Sequence, residues 1–228
     1  PGNSGLATLL MTRPTLDTEL RLLEQGATWV IAVDEVGRGA LAGPVWVSAG
    51  AWSAEASSAP DGLRDSKLVA ESKRPALAEA GAAWLHATAS GYQAPDFIDQ
   101  HGIIPALATA GATAVRQVWE EVGSPDHTVV LLDGVHDWLS PELGGLLPVV
   151  TQKKADRDCL SVAAVSLVAK VSRDQVMIEA DGDYPHYGFA GNKGYSSPQH
   201  QQALREHGPC ALHRMTWIPA PELPLHED

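Results

Sequence analysis

Residues 29–33 of this 228-residue chain, Trp-Val-Ile-Ala-Val, form a short apolar run that halts at two adjacent carboxylates, Asp34 and Glu35. A run of this length, with β-branched residues and turn residues beyond it, reads as a buried strand. Gly37-Arg38-Gly39 follows, and then a second glycine-rich turn leads into another strand at 44–52. Pro44 suits a strand's first position, where no ladder donor is needed. Two acids at the end of a buried strand demand compensation, because ionised carboxylates are costly away from water unless something pairs with them.

The rest of the chain supplies both sheet and helices. Residues 16–26 read as an amphipathic helix, with Leu16, Leu20 and Leu23 on one face and Gly26 as its stop. Residues 65–87 are a turn and a helix, 87–93 a third strand, and 95–102 a helical turn. A long helix spans 103–123, with Pro105 in its first turn. Strands at 127–134 and 146–152 precede a long helix at 159–181, whose small, apolar first half should be buried. A last helix covers 197–208, capped by Ser197 and stopped by Gly208. With no repeat and no long linker, this order predicts an α/β fold, a mixed β-sheet flanked by helices.

Composition narrows the class. A hydrophobic fraction of 44% with 19% charged residues is ordinary for a globular chain. Two cysteines, Cys159 and Cys210, make no disulfide framework and suit a reduced, cytoplasmic protein. No apolar run reaches membrane-spanning length, and residues 1–17 lack the charged start and cleavage context of a signal peptide. The net charge of −12 argues against a nucleic-acid partner. Distribution argues otherwise, since basic residues gather at 67–74, 153–173 and 193–214 and leave room for a local basic strip.

The run Val-Val-Leu-Leu also ends at a carboxylate, Asp133, 99 residues after Asp34. If the two strands are neighbours, the acids sit side by side, repel and raise each other's pKa. A divalent cation relieves this, and oxygen ligands on rigid strand ends suit Mg²⁺ or Mn²⁺. Two such ions could serve phosphodiester hydrolysis. Asp133-Gly134 alone also reads as a plain turn. The Gly37–Gly43 loop lacks the Gly-Lys-Ser/Thr of a P-loop and the dinucleotide spacing, so ATP or NAD binding has only its glycines in favour. Its exposed backbone suits close approach to a sugar-phosphate chain.

At this point Ala-Val-Asp-Glu-Val-Gly-Arg-Gly-Ala-Leu-Ala-Gly-Pro-Val resembles the opening signature of the bacterial type 2 ribonucleases H, ribonuclease HII. The resemblance continues in order through RDSKLVAESKR, VVLLDG, KKADRDCLSVAAVSLVAKVSRDQVM, YPHYGFAGNKGYSSPQH and GPCALHRMTW, and covers about five-sixths of the chain. It implies a ribonuclease H-like sheet with a helical C-terminal part, and a division into an N-terminal helical extension (1–27), a catalytic domain (28–218) and a disordered tail (219–228). It implies Asp34, Glu35, Asp133 and Asp156 as catalytic, metal-binding acids for a two-ion Mg²⁺ or Mn²⁺ site. Asp158 and Asp174 lie close enough to compete with Asp156, although Asp174 better suits pairing with local basic groups. Gly37, Arg38, Gly39 and Tyr195 would recognise a ribose 2′-OH, and Lys67, Lys193, Lys170 and Arg173 would contact phosphates. The implied substrates are RNA–DNA hybrids and single ribonucleotides in duplex DNA, cut on the 5′ side by a monomeric enzyme. The rivals are a ribonuclease HIII or junction resolvase of the same fold, or a silent nucleic-acid-binding module.

Overall fold

Alternation along β1 (Trp29–Val36) sends Ile31 and Val33 to one face of a sheet and Val30 and Ala32 to the other, and both faces are covered. The structure is a computed structural model that describes residues 13–218. The tail expected to be disordered lies outside the described residues, as do residues 1–12 of the expected N-terminal extension.

In chain order, α1 (Asp17–Glu24) precedes β1 and β2 (Val45–Trp52), and α2 (Arg74–Trp84) follows two short 3₁₀ turns. Next come β3 (Ala87–Gln93), α3 (Pro95–His101), α4 (Ile103–Glu121), β4 (Thr128–Asp133), α5 (Ser140–Leu143) and β5 (Val149–Gln152). The last helices are α6 (Ala155–Asp158), α7 (Leu160–Asp183), α8 (Phe189–Asn192) and α9 (Pro198–His207). The sheet runs β3-β2-β1-β4-β5, antiparallel across β3, β2 and β1 and parallel across β1, β4 and β5. Helix α4 covers the face of Ile31 and Val33, while α1, α2 and α7 cover the other. No helix among the described residues is long and apolar enough to cross a membrane.

Two sequence expectations sharpen here. The first half of α7 is buried, with Val162, Val165 and Leu167 at 0% exposure, each worth about 1.5–3 kcal/mol. The first strand, however, does not halt at its acids. Asp34, Glu35 and Val36 stay paired with Ser48, Val47 and Trp46 of β2, whereas pairing with β4 ends at Val33–Leu132. The acids therefore sit where one neighbour leaves the ladder and the other still holds them rigid.

The N-terminal segment is tied into the same frame. Thr15 bridges Cys159, and the fully buried Glu19 of α1 accepts hydrogen bonds from the N–H and hydroxyl of Ser161 at 2.9 and 2.6 Å. Helix α7 has no side-chain cap of its own, so Glu19 supplies an acceptor for a first-turn donor that lacks an intrahelical partner. Burial nevertheless raises the Glu19 pKa, and its Oε2 has no partner among the described residues. A carboxyl whose folded pKa lies above its unfolded one supports the fold below the unfolded value and costs stability as pH rises through the folded one. Glu19→Gln keeps an acceptor and removes the charge. Its urea-unfolding free energy relative to wild type should become more favourable from about pH 4 to about pH 8; a difference that stays flat or narrows would contradict this reading.

Candidate active site

The period of a strand carries the row Val30, Ala32 on to Asp34, and the row Val129, Leu131 on to Asp133. Parallel pairing of Val33 with Leu132 then sets the two aspartates beside one another on neighbouring strands. Asp156 comes from α6, and the Ala155 N–H donates to Asp133 Oδ1 at 2.6 Å, which ties that turn to the end of β4. These three acids and Glu35 line one cleft of ≈430 Å³ together with Gly37, Arg38, Gly39, Lys67, Lys170 and Tyr195. Asp158 is exposed and does not line the cleft, and Asp174 is held by Lys170 at 2.6 Å.

The electrostatics show acids crowded together. Burial, then Glu35 and Asp133, raise the Asp34 pKa well above the carboxylate range, with partial relief from a Ser166 hydrogen bond. Burial also raises Glu35 against the opposing pull of Arg38, which lies 3.6 Å away. Asp133 is raised by burial, tempered by the backbone N–H groups of Ala155, Asp156 and Gly134. Burial and Asp133 push Asp156 up to about 6. Lys67 answers them: burial opposes its charge, but Asp65, Asp156, Asp34 and Asp133 together raise its pKa. Lys170 is lowered by burial, even with Asp174 as its partner.

This donor set fits a hard divalent cation. All four ligand candidates are carboxylates, Glu35 Oε2 is buried without a partner among the described residues, and extra positive charge would relieve the repulsion that helps to raise Asp34. Among the described residues no three acids converge closely enough to hold an ion as they stand; they share one cleft.

The glycine loop forms the adjoining wall. Gly37 has φ +84°, and a Cβ there would meet Arg173 Nε at 2.1 Å. The Gly37 N–H donates to the Tyr195 hydroxyl at 3.0 Å, which leaves that hydroxyl's own hydrogen free to donate.

Two expected phosphate contacts lie elsewhere. Arg173 is fully buried, donating from Nε to Pro44 O (2.8 Å), from Nη1 to Lys193 O (2.9 Å) and from Nη2 to Ala42 O (3.0 Å). Its guanidinium also stands 5.3 Å from the Tyr195 ring centroid. Three of its five N–H donors are bonded to carbonyls that hold the loop, and it is absent from the cleft lining. Lys193 is buried, paired with Glu71 at 3.1 Å and donating to Ala190 O, and it too is absent from the cleft lining. Cations spaced along a helix gave no sign of which one turned inward. The cleft also includes Ser66 and Ser166, which sequence reasoning missed. No spacing marks them, because 100 residues separate them and only the approach of α7 to the 3₁₀ turn brings their hydroxyls to 3.4 Å.

Comparison with known proteins places the chain in a family. The sequence profile of the family described as Ribonuclease HII matches residues 31–220. The chain is 42% identical over 210 residues to ribonuclease HII of Streptomyces avermitilis, covering 92% of this chain and 85% of that protein. Its fold is similar to ribonuclease H2 of Pyrococcus horikoshii, with a TM-score of 0.67 at 23% identity over 83% of this chain and 93% of that one. It is also similar to Bst ribonuclease HIII in complex with Mn²⁺, with a TM-score of 0.62 at 16% identity over 87% of this chain and 70% of that one. A shared sheet, a family profile spanning the acids and the loop, and high identity over most of the chain meet in one conclusion: the chain belongs to the ribonuclease HII family and is a type 2 ribonuclease H.

Proposed function

We propose that the chain is a metal-dependent endonuclease that cleaves the RNA strand of RNA–DNA hybrids and incises duplex DNA on the 5′ side of a single embedded ribonucleotide. The observation that carries this is the continuity of one cleft, acidic at the strand ends and walled by Gly37–Gly39 and Tyr195. Asp34, Glu35, Asp133 and Asp156 would hold two Mg²⁺ or Mn²⁺ ions, and the Mn²⁺ complex of a ribonuclease HIII with this fold supports that choice. Such ions, when bound, make water a nucleophile at neutral pH and neutralise charge on the departing oxygen.

The protein's own residues select and place the substrate. Lys67, held charged by its acidic neighbours, and Lys170 would face the phosphates. The free hydrogen of the Tyr195 hydroxyl can donate to a ribose 2′-OH, and the loop backbone brings no side chain between them. A 2′-OH donates as well as accepts, which separates ribose from deoxyribose at one position. Water adds across the P–O3′ bond: its hydroxyl goes to phosphorus and a proton goes to O3′. The products are a 3′-OH and a 5′-phosphate. We place the enzyme in the cytoplasm as a monomer with residues 28–218 as the catalytic unit, in keeping with its free thiols.

Tyr195→Phe tests the ribose contact. It removes one donor to the sugar and the acceptor for Gly37, so incision beside a single ribonucleotide should fall about tenfold in kcat/KM. An unchanged rate would remove Tyr195 from the ribose site.

A further inference from the structure

Behind the ribose-facing wall lie buried polar groups that the chemistry above does not use. Arg214 is fully buried and forms no salt bridge among the described residues. Its Nη1 donates to Arg38 O at 2.9 Å and its Nη2 to Gly37 O at 2.6 Å, while Nη2 and Nε share Gly43 O at 3.1 and 3.3 Å. Its own N–H bonds Leu41 O at 2.9 Å. One side chain thus draws inward the carbonyls of two of the three Gly-Arg-Gly residues and pins the loop's far end.

A second line reaches Tyr195. His200 and His213 are buried, with Nε2 atoms 2.9 Å apart. Chemistry assigns their tautomers. The Tyr195 carbonyl can only accept, so His200 Nδ1, 2.9 Å away, carries a hydrogen. A neutral His200 then accepts at Nε2, so His213 must donate from its Nε2. His213 Nδ1 is left bare and accepts the Cys210 N–H at 2.9 Å. Burial favours these neutral rings, lowering His200 and taking His213 to about 4. Every donor in the line points one way, from Cys210 through His213 and His200 to the backbone of Tyr195. Gly194 precedes Tyr195 and presses on the loop so closely that a Cβ there would meet Ala42 O at 2.3 Å.

We propose that Arg214, His213 and His200 are positioning residues that fix the Gly37–Gly39 loop against Tyr195 and thereby make the cleft selective for a single embedded ribonucleotide. The inference rests on the function proposed above and adds where its selectivity is stored. A uniform hybrid offers a 2′-OH at every nucleotide of the RNA strand, so a slightly displaced wall still finds one. A duplex with one ribonucleotide has one productive register, and misplacement of about 1 Å can cost about 100-fold.

The experiment compares kcat/KM on a duplex with one ribonucleotide and on a uniform RNA–DNA hybrid, with thermal unfolding of each protein. Arg214→Lys keeps the charge and loses the planar fork; His213→Leu breaks the donor line; His213→Gln keeps a donor near the place of Nε2. Arg214→Lys and His213→Leu should lose about tenfold or more on the single ribonucleotide and only about threefold on the hybrid, and His213→Gln should recover most of the difference. Equal loss on both substrates by folded variants, or no loss on either, overturns the proposal. Collapse of the fold in both Arg214→Lys and His213→Leu also overturns it, by confining these residues to stability. Failure of the wild type to cut the one-ribonucleotide duplex overturns the underlying function instead, and the proposal with it.

Discussion

Asp34→Asn should abolish cleavage, with a loss of about 10³-fold or more, while the same protein becomes more resistant to heat in metal-free buffer. The first half follows from position. Asp34 is buried on a strand held by β2, beside Asp133 and within the field of Glu35 and Asp156, so it is the acid best placed to serve any bound cation. Losing several kcal/mol of charge stabilisation corresponds to about 10³ in rate. The second half follows from the sign of its pKa shift. A buried carboxyl raised well above its unfolded value subtracts stability at neutral pH unless a cation compensates it, and an isosteric amide removes that cost. Thermal unfolding in chelator checks stability and a cleavage assay checks activity. A variant that is both inactive and less stable would show that Asp34 is a structural acid.

Gly37→Ala should cost about 100-fold in kcat/KM on a duplex with one ribonucleotide and lower Tm by several degrees. At φ +84° an alanine is strained by about 1–3 kcal/mol before any contact is considered. Its Cβ would also meet Arg173 at Nε (2.1 Å) and Cδ (2.7 Å), and Arg173 cannot swing away without releasing Pro44, Lys193 and Ala42. The loop must move instead, and with it the Gly37 N–H that Tyr195 accepts. Gly39→Ala is the control: a Cβ there meets nothing within 4 Å, so its Tm should match wild type. Equal Tm values for the two variants, measured by calorimetry, would contradict the account.

How much of this was legible in the sequence differs from residue to residue. Short apolar runs marked β1 and β4, and two strands ending at acids pointed to a shared edge that the parallel register of Val33 with Leu132 creates. Local chemistry also sufficed at α9, where Ser197 accepts the His200 N–H and Gly208 ends the helix. What local patterning missed was set by long-range packing. The strand continues past its acids because Trp46, Val47 and Ser48 of β2, which lie 12 to 14 residues beyond Asp34, pair with it. Arg173 looked like a phosphate-facing cation on α7, yet the carbonyls of Ala42 and Pro44 capture it. His200 and His213, 13 residues apart, carry no spacing that announces a hydrogen-bonded pair, and only the fold of Tyr187, Phe189 and Ala42 around them makes a dry site. Glu19, three residues after Leu16 and four before Leu23, borders the apolar face of α1 and is buried against the start of α7, a role that helix periodicity alone does not assign to a carboxylate.

The measurement that bears most directly on the whole account is nucleotide-resolution mapping of products from a duplex carrying one ribonucleotide. Wild type and Asp34→Asn are compared with Mn²⁺ or Mg²⁺ and with chelator. The account predicts a single wild-type cut on the 5′ side of the ribonucleotide, leaving a 3′-OH and a 5′-phosphate, present with either ion and absent with chelator or in the variant. Cleavage that persists in chelator, that survives Asp34→Asn, or that falls away from the ribonucleotide would contradict it.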